Sequence, residues 1–367
     1  FNFCHFRYFC KYGLKLKTRI KKEINPLEQG NLIHLCMEEI FKNSYTKEHF
    51  LSLSKSEIKA EVEKTSEYYK NNILGGDFGK SHRFNANFKK ITSNMTELVT
   101  HIQSEFSQAK FTPMDFELKI SQKILNEPIK LNFSNGVEII LNGKVDRVDV
   151  YENDGEKYIR IIDYKTGSHS FSLQNVIFGI DMQMLLYIFA LTEKDSKYKD
   201  YFPAGILYMP SGNIAIDKDE DKDIDDYINS FYKMKGVVLK NREVLNAMEE
   251  HIKGIYIPAK TVSSDKGGGE LMLDKTKSSC LSDIQFDKLR DYAKKLIKNM
   301  VVELYDGNIS ANPLLKCKNH TDICENCEYW DICGNVPNLR SRIAEISEQE
   351  TEIKLFGNEE NQNGNMD

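Results

Sequence analysis

Residues 143–167 read GKVDRVDVYENDGEKYIRIIDYKTG, two β-branched runs on either side of the polar stretch Glu152-Asn153-Asp154-Gly155. Such a pattern folds as two adjacent strands joined by a turn, because Val and Ile fit a pleated surface and the polar stretch reverses the chain. Side chains alternate along a strand, so Asp163 and Lys165 share one face and the Tyr164 side chain points to the other. If Asp146 on the neighbouring strand faces the same way, two hard oxygen ligands converge, the arrangement Mg²⁺ takes beside phosphate substrates. The lysine then sits next to the ion. A bare D-x-K is far more often a solvated Asp–Lys pair on a hairpin, so this spacing needs its surroundings before it means chemistry.

The surroundings are specific. G-x-x-D at Gly143 and Asp146, followed by Ile161-Ile162-Asp163-Tyr164-Lys165-Thr166-Gly167, resembles the PD-(D/E)XK nuclease superfamily in its RecB-like branch. That resemblance implies an α/β fold with a restriction-endonuclease-like core, a mixed central sheet flanked by helices. It implies that Asp146 and Asp163 bind Mg²⁺ (or Mn²⁺), that the Tyr164 carbonyl adds a ligand, and that Lys165 assists hydrolysis. Two further stretches match the branch. His34 lies on an amphipathic helix opened by Pro26 and would, read alone, be a hydrogen-bonded boundary histidine. The G-x-x-x-H formed with Gly30 implies instead a third metal ligand. Gln183 and Tyr187 are four apart and share a helix face, which alone suggests a core helix with one satisfied glutamine. The resemblance implies a Q-x-x-x-Y helix that helps place Lys165 and the DNA backbone.

Eight cysteines in a chain with no signal-peptide pattern favour metal ligation or buried thiols over disulfides. Cys324, Cys327 and Cys333 gather three thiolates, which select zinc or an iron-sulfur centre, with Cys317, His320 or a distant residue as the fourth ligand. The residues by themselves favour structural zinc. The opening stretch Cys4-His5-Phe6-Arg7-Tyr8-Phe9, with Tyr12-Gly13-Leu14, reads first as aromatic packing with solvated bases. It also resembles the start of the nuclease domain in the AddB-type polypeptides of bacterial ATP-dependent helicase/deoxyribonucleases, with His5 where proline is usual. That resemblance implies a 4Fe-4S cluster on Cys4, Cys324, Cys327 and Cys333, leaving Cys10, Cys36, Cys280 and Cys317 as spare thiols. It further implies DNA as the substrate, an AddA-type helicase-nuclease polypeptide as partner in a heterodimer, and exonuclease action in double-strand-break repair and recombination.

The expected organisation is a nuclease domain over 1–342, with a helical segment at 47–108 inserted, a sheet core at 112–210 and an iron-sulfur segment at 317–336 pairing with 1–16. Within the core, 116–120 and 129–133 are the expected opening strands, and Asn135-Gly136 the turn into the strand carrying Asp146. The polar tail 343–367 is expected to be disordered. No apolar run approaches a membrane span, so the expectation is a cytoplasmic protein with no membrane association. The net charge of −5 does not itself suggest nucleic-acid binding, although acidic segments can offset a basic groove. Because the first residue is Phe1, a piece of a longer polypeptide is expected.

Two motifs are decoys. Gly75-Gly76-Asp77-Phe78-Gly79-Lys80-Ser81 resembles a phosphate-binding loop but has Leu74 where a glycine is required. The acidic run from Asp217 to Asp223 resembles a calcium loop but has Lys222 at the turn-glycine position. The rival readings are a stand-alone RecB-like exonuclease of the kind used in CRISPR adaptation, usually shorter, and an inactive DNA-binding scaffold with a structural cluster.

Overall fold

The two β-branched runs lie in the middle of a six-stranded sheet. The structure is a computed structural model and describes all residues except 18–25, 44–45, 77–80, 124–128, 132–133, 168–170, 195, 215–223, 266–268, 335–339 and 358–367. The strands in chain order are β1 (Thr112–Lys123), β2 (Ile129–Leu131), β3 (Ser134–Val137), β4 (Ile140–Asn153), β5 (Glu156–Lys165), β6 (Phe202–Pro210), β7 (Lys235–Leu239), β8 (Cys280–Leu281), β9 (Leu314–Leu315) and β10 (Arg342–Ile343). The main sheet runs β1-β4-β5-β6-β7-β8. It is mixed: β5/β6 and β7/β8 are parallel and the other neighbours antiparallel.

Asp154 and Gly155 have φ of 50° and 87° and link the paired residues Asn153 and Glu156, a two-residue reversal whose left-handed backbone suits Asp-Gly. This turn sets the β4/β5 register. The parallel step from β5 to β6 is made through the helices Leu173–Ile177 and Met182–Leu191, the second of which packs on the sheet. Residues 47–108 contain the helices Lys47–Ser52, Lys55–Tyr68 and His82–Gln108.

The last of these is fastened to the sheet by buried charge. Arg147, Asp149, Arg160 and Glu105 are all fully buried. Arg147 Nη2 donates to Asp149 at 2.8 Å and to Glu105 at 3.1 Å, and Arg160 Nε donates to Asp149 at 2.9 Å. The guanidinium groups stand over Phe106 and Phe111 at 4.7 and 4.8 Å. Such a set is tolerated in a core only when the charges satisfy one another, and deleting one partner would strand the rest.

Three expectations need correction. The 129–133 strand does not join the core sheet: β2 and β3 form a separate two-stranded ribbon, and Asn135-Gly136 lie within β3. The reason is that β1 continues to Lys123 and pairs with β4 as far as Ile140, so β4 has β1 on one edge and β5 on the other. The tail is not disordered through 357. Ser347 and Glu350 form a capping box for the helix Glu348–Phe356, and Leu355 and Phe356 enter the main core. Residues 77–80 of the phosphate-loop decoy and the acidic run 217–223 lie outside the described residues.

The two ends of the domain meet. Leu314 N donates to Phe3 O at 2.8 Å, Tyr329 Oη to Leu16 O at 3.1 Å, and Arg7 Nη2 to Glu328 Oε2 at 3.0 Å.

Candidate active site and cysteine centre

The register places the acids. Arg147 pairs with Ile162, so Asp146 and Asp163 occupy the next rung of the β4/β5 ladder. On the other side Phe116 pairs with Arg147 and Leu118 with Val145, which brings Glu117 opposite Asp146. Three carboxylates therefore form a row across adjacent strands, where like charges are unfavourable without a compensating cation.

The helix Pro26–Asn43 brings His34 to this row. Its Nδ1 lies 3.1 Å from Glu117 Oε1 and 3.3 Å from Asp146 Oδ1. One donor atom from each of His34, Glu117 and Asp146 falls within 4.8 Å of the others, a set that could hold a metal ion. Asp146 Oδ2 accepts the Tyr164 backbone N–H at 2.9 Å, which fixes the carboxylate. Asp163 stands beside this trio. Its Oδ2 is 2.6 Å from Lys165 Nζ but lacks an aligned hydrogen bond, so a buried carboxylate oxygen is paired by charge alone. Burial, and next the charge of Asp163, push the Asp146 carboxyl up to about 6, while His34 and Lys165 pull it down. Tyr208, opposite Asp163 on β6, is raised well above the usual phenol range by burial and then by Asp163.

Gln183 Nε2 donates to Tyr187 Oη at 3.2 Å. The Tyr187 phenol rests against Gly143, where an added Cβ would lie 2.2 Å from its oxygen. The glycine of G-x-x-D is thus required by close approach. The Tyr164 side chain is buried near Arg147.

The structure thus brings His34, Asp146, Asp163 and Lys165 to one place, with the Gln183–Tyr187 pair against Gly143 of the same strand. Sequence reasoning missed Glu117, whose side chain is only 7% exposed. The signal available was an acid within the strand expected at 116–120, next to the strand carrying Asp146. Nothing in its spacing marked it, and its backbone, at φ of 52°, departs from ordinary strand geometry.

Cys4, Cys324, Cys327 and Cys333 line one small cavity together with Phe6, Arg7, Pro313, Ile323 and Trp330. Burial, then the neighbouring thiols, push the Cys324 thiol up. The alternative fourth ligands are engaged elsewhere: Cys317 packs with Ile180, Leu314 and Ala344, and His320 Nε2 lies 2.9 Å from Asp181. Cys10, expected to be spare, is fully buried, and burial, then the nearby thiols of Cys333, Cys327 and Cys4, push its thiol up.

A model described as the PD-(D/E)XK nuclease superfamily matches residues 1–334. The chain is also similar to proteins named as the B polypeptide of an ATP-dependent helicase/deoxyribonuclease. That of Thermoanaerobacter sp. (strain X514) is 32% identical over 359 residues, covering 95% of this chain and 30% of the relative. That of Clostridium tetani is 33% identical over 344 residues, covering 91% and 29%. That of Clostridioides difficile is 30% identical over 345 residues, covering 90% and 29%. The chain spans about 30% of the length of these curated relatives.

Proposed function

The chain belongs to the PD-(D/E)XK nuclease superfamily, and from that premise we propose that it is the Mg²⁺-dependent (or Mn²⁺-dependent) DNA exonuclease domain of an AddAB-type helicase-nuclease. Its work is hydrolysis of phosphodiester bonds in double-strand-break repair and recombination, in the cytoplasm, beside an AddA-type partner. The observation that carries this reading is the convergence of His34, Asp146 and Asp163 with Lys165 on adjoining elements. Among the described residues no helix is long and apolar enough to cross a membrane.

The residues fit a divalent cation. Asp163 Oδ2 is buried with no aligned hydrogen bond, met only by the charge of Lys165 Nζ at 2.6 Å, and the Asp146 carboxyl is raised by burial and by Asp163, the two signs of a site that gains from added positive charge. His34, Asp146, Asp163 and the Tyr164 carbonyl would hold it. When bound, such an ion polarises the phosphate and lowers the pKa of a bound water. The chain does the rest. Asp146, held by the Tyr164 N–H, presents a fixed oxygen. Lys165, about one-third exposed, reaches out of the sheet to orient the attacking water or to meet the charge developing on phosphorus. Gln183 steadies Tyr187, which packs on Gly143 at the start of the strand bearing Asp146 and helps set Lys165 and the DNA backbone.

The four cysteines at one cavity support a 4Fe-4S cluster.

The test is cleavage of linear DNA with and without Mg²⁺. Asp163→Ala and Lys165→Ala are expected to lose cleavage by at least about a hundredfold while retaining DNA binding. Variants as active as the parent would overturn the reading.

A further inference from the structure

The proposed metal site uses His34, Asp146 and Asp163 and leaves Glu117 and Lys144 without a role. The Glu117 side chain is 7% exposed, and its two oxygens have separate partners: Oε1 faces His34 Nδ1 at 3.1 Å, and Oε2 contacts the Lys144 ammonium. Lys144 lies on β4 two residues before Asp146 and so projects from the same face. Its side chain is half exposed, at 49%, against 7% for Glu117. A flexible, half-solvated ammonium therefore neutralises one of the three residues best placed to hold an ion. In the same row the buried Asp163 Oδ2 is likewise met by an ammonium, Lys165 Nζ at 2.6 Å, without an aligned hydrogen bond, so the row draws positive charge to itself.

We propose that Glu117 is a ligand of the divalent ion and that Lys144 is a tethered cation competing for it. In the metal-free chain Lys144 holds Glu117. When the ion enters, Glu117 turns to it and the ammonium is released towards solvent at the mouth of the site. Lys144 thereby sets how much Mg²⁺ or Mn²⁺ the site requires. A tethered ammonium of this kind is a weak competitor, since a half-exposed ion pair is screened by water.

This inference rests on the metal site proposed for the nuclease, and one titration separates the two. Free Mn²⁺ is followed by its electron paramagnetic resonance signal as it is added to the metal-stripped chain and to Lys144→Met, Lys144→Arg and Glu117→Gln. Each protein is first checked by thermal melting. Lys144→Met is expected to bind about fivefold more tightly, Lys144→Arg like the parent, and Glu117→Gln about tenfold more weakly or worse. A parent that binds no Mn²⁺ would remove the metal site itself and this inference with it. A parent that binds, with Lys144→Met no tighter or Glu117→Gln unchanged, would overturn the inference alone.

Discussion

Asp146 is drawn in opposite directions: burial and Asp163 raise its carboxyl to about 6, and His34 and Lys165 lower it. In the metal-free chain its folded pKa lies above the unfolded value of 3.8, so this group's contribution to stability falls as pH rises from about 4 towards 6. Added positive charge reverses the balance. Below about pH 6 protons compete with the ion for the same oxygens, so the Mg²⁺ concentration for half-maximal cleavage should rise by about fivefold between pH 6 and pH 5. A magnesium titration at each pH measures it, and a flat requirement would contradict it. The placement of Asp146, Asp163 and Lys165 was legible because strand alternation fixes faces and Asp154-Gly155 fixes the register. His34 was legible only through its motif, since the approach of its helix to the sheet is tertiary. Glu117 was not, because its strand is separated in sequence from β4 by a ribbon and no motif spacing marks it.

At the scale of elements, the apolar runs marked β4, β5 and the helix Met182–Leu191, each long enough to impose its period. Two elements were misread because composition outweighed local signals. In the tail, polar residues masked the Ser347/Glu350 cap and the apolar pair Leu355-Phe356. In the ribbon, Asn135-Gly136 looked like the turn into β4, yet that edge is occupied by β1. The segments bearing Cys4 and Cys324–Cys333, whose cysteines line one cavity, could be linked in sequence only through the resemblance, as no local pattern links residues so far apart. Their union makes a prediction. Anaerobically purified protein should absorb near about 400 nm, and Cys324→Ser should lose that band and show faster amide exchange in both segments, 1–16 and 317–334. A colourless parent containing stoichiometric zinc would contradict the cluster.

Across the whole molecule, two fastenings hold the site from outside. The Glu105, Arg147, Asp149 and Arg160 network bolts the helix His82–Gln108 to β4 and β5, one residue from Asp146. The end-to-end contacts tie the first residues to the segment after Pro313. The first was not legible, because a buried charge network reads in sequence as ordinary surface acids and bases; the second was expected only from the family resemblance. The 4Fe-4S proposal and the metal site both follow from how distant parts of the chain are drawn together, and the metal site is the more direct test. Crystals of the chain grown with Mn²⁺ should show an anomalous difference peak within about 2.5 Å of carboxylate oxygens of Asp146 and Asp163 and of the His34 imidazole. No peak there, or His34 turned away from both acids, would contradict the account.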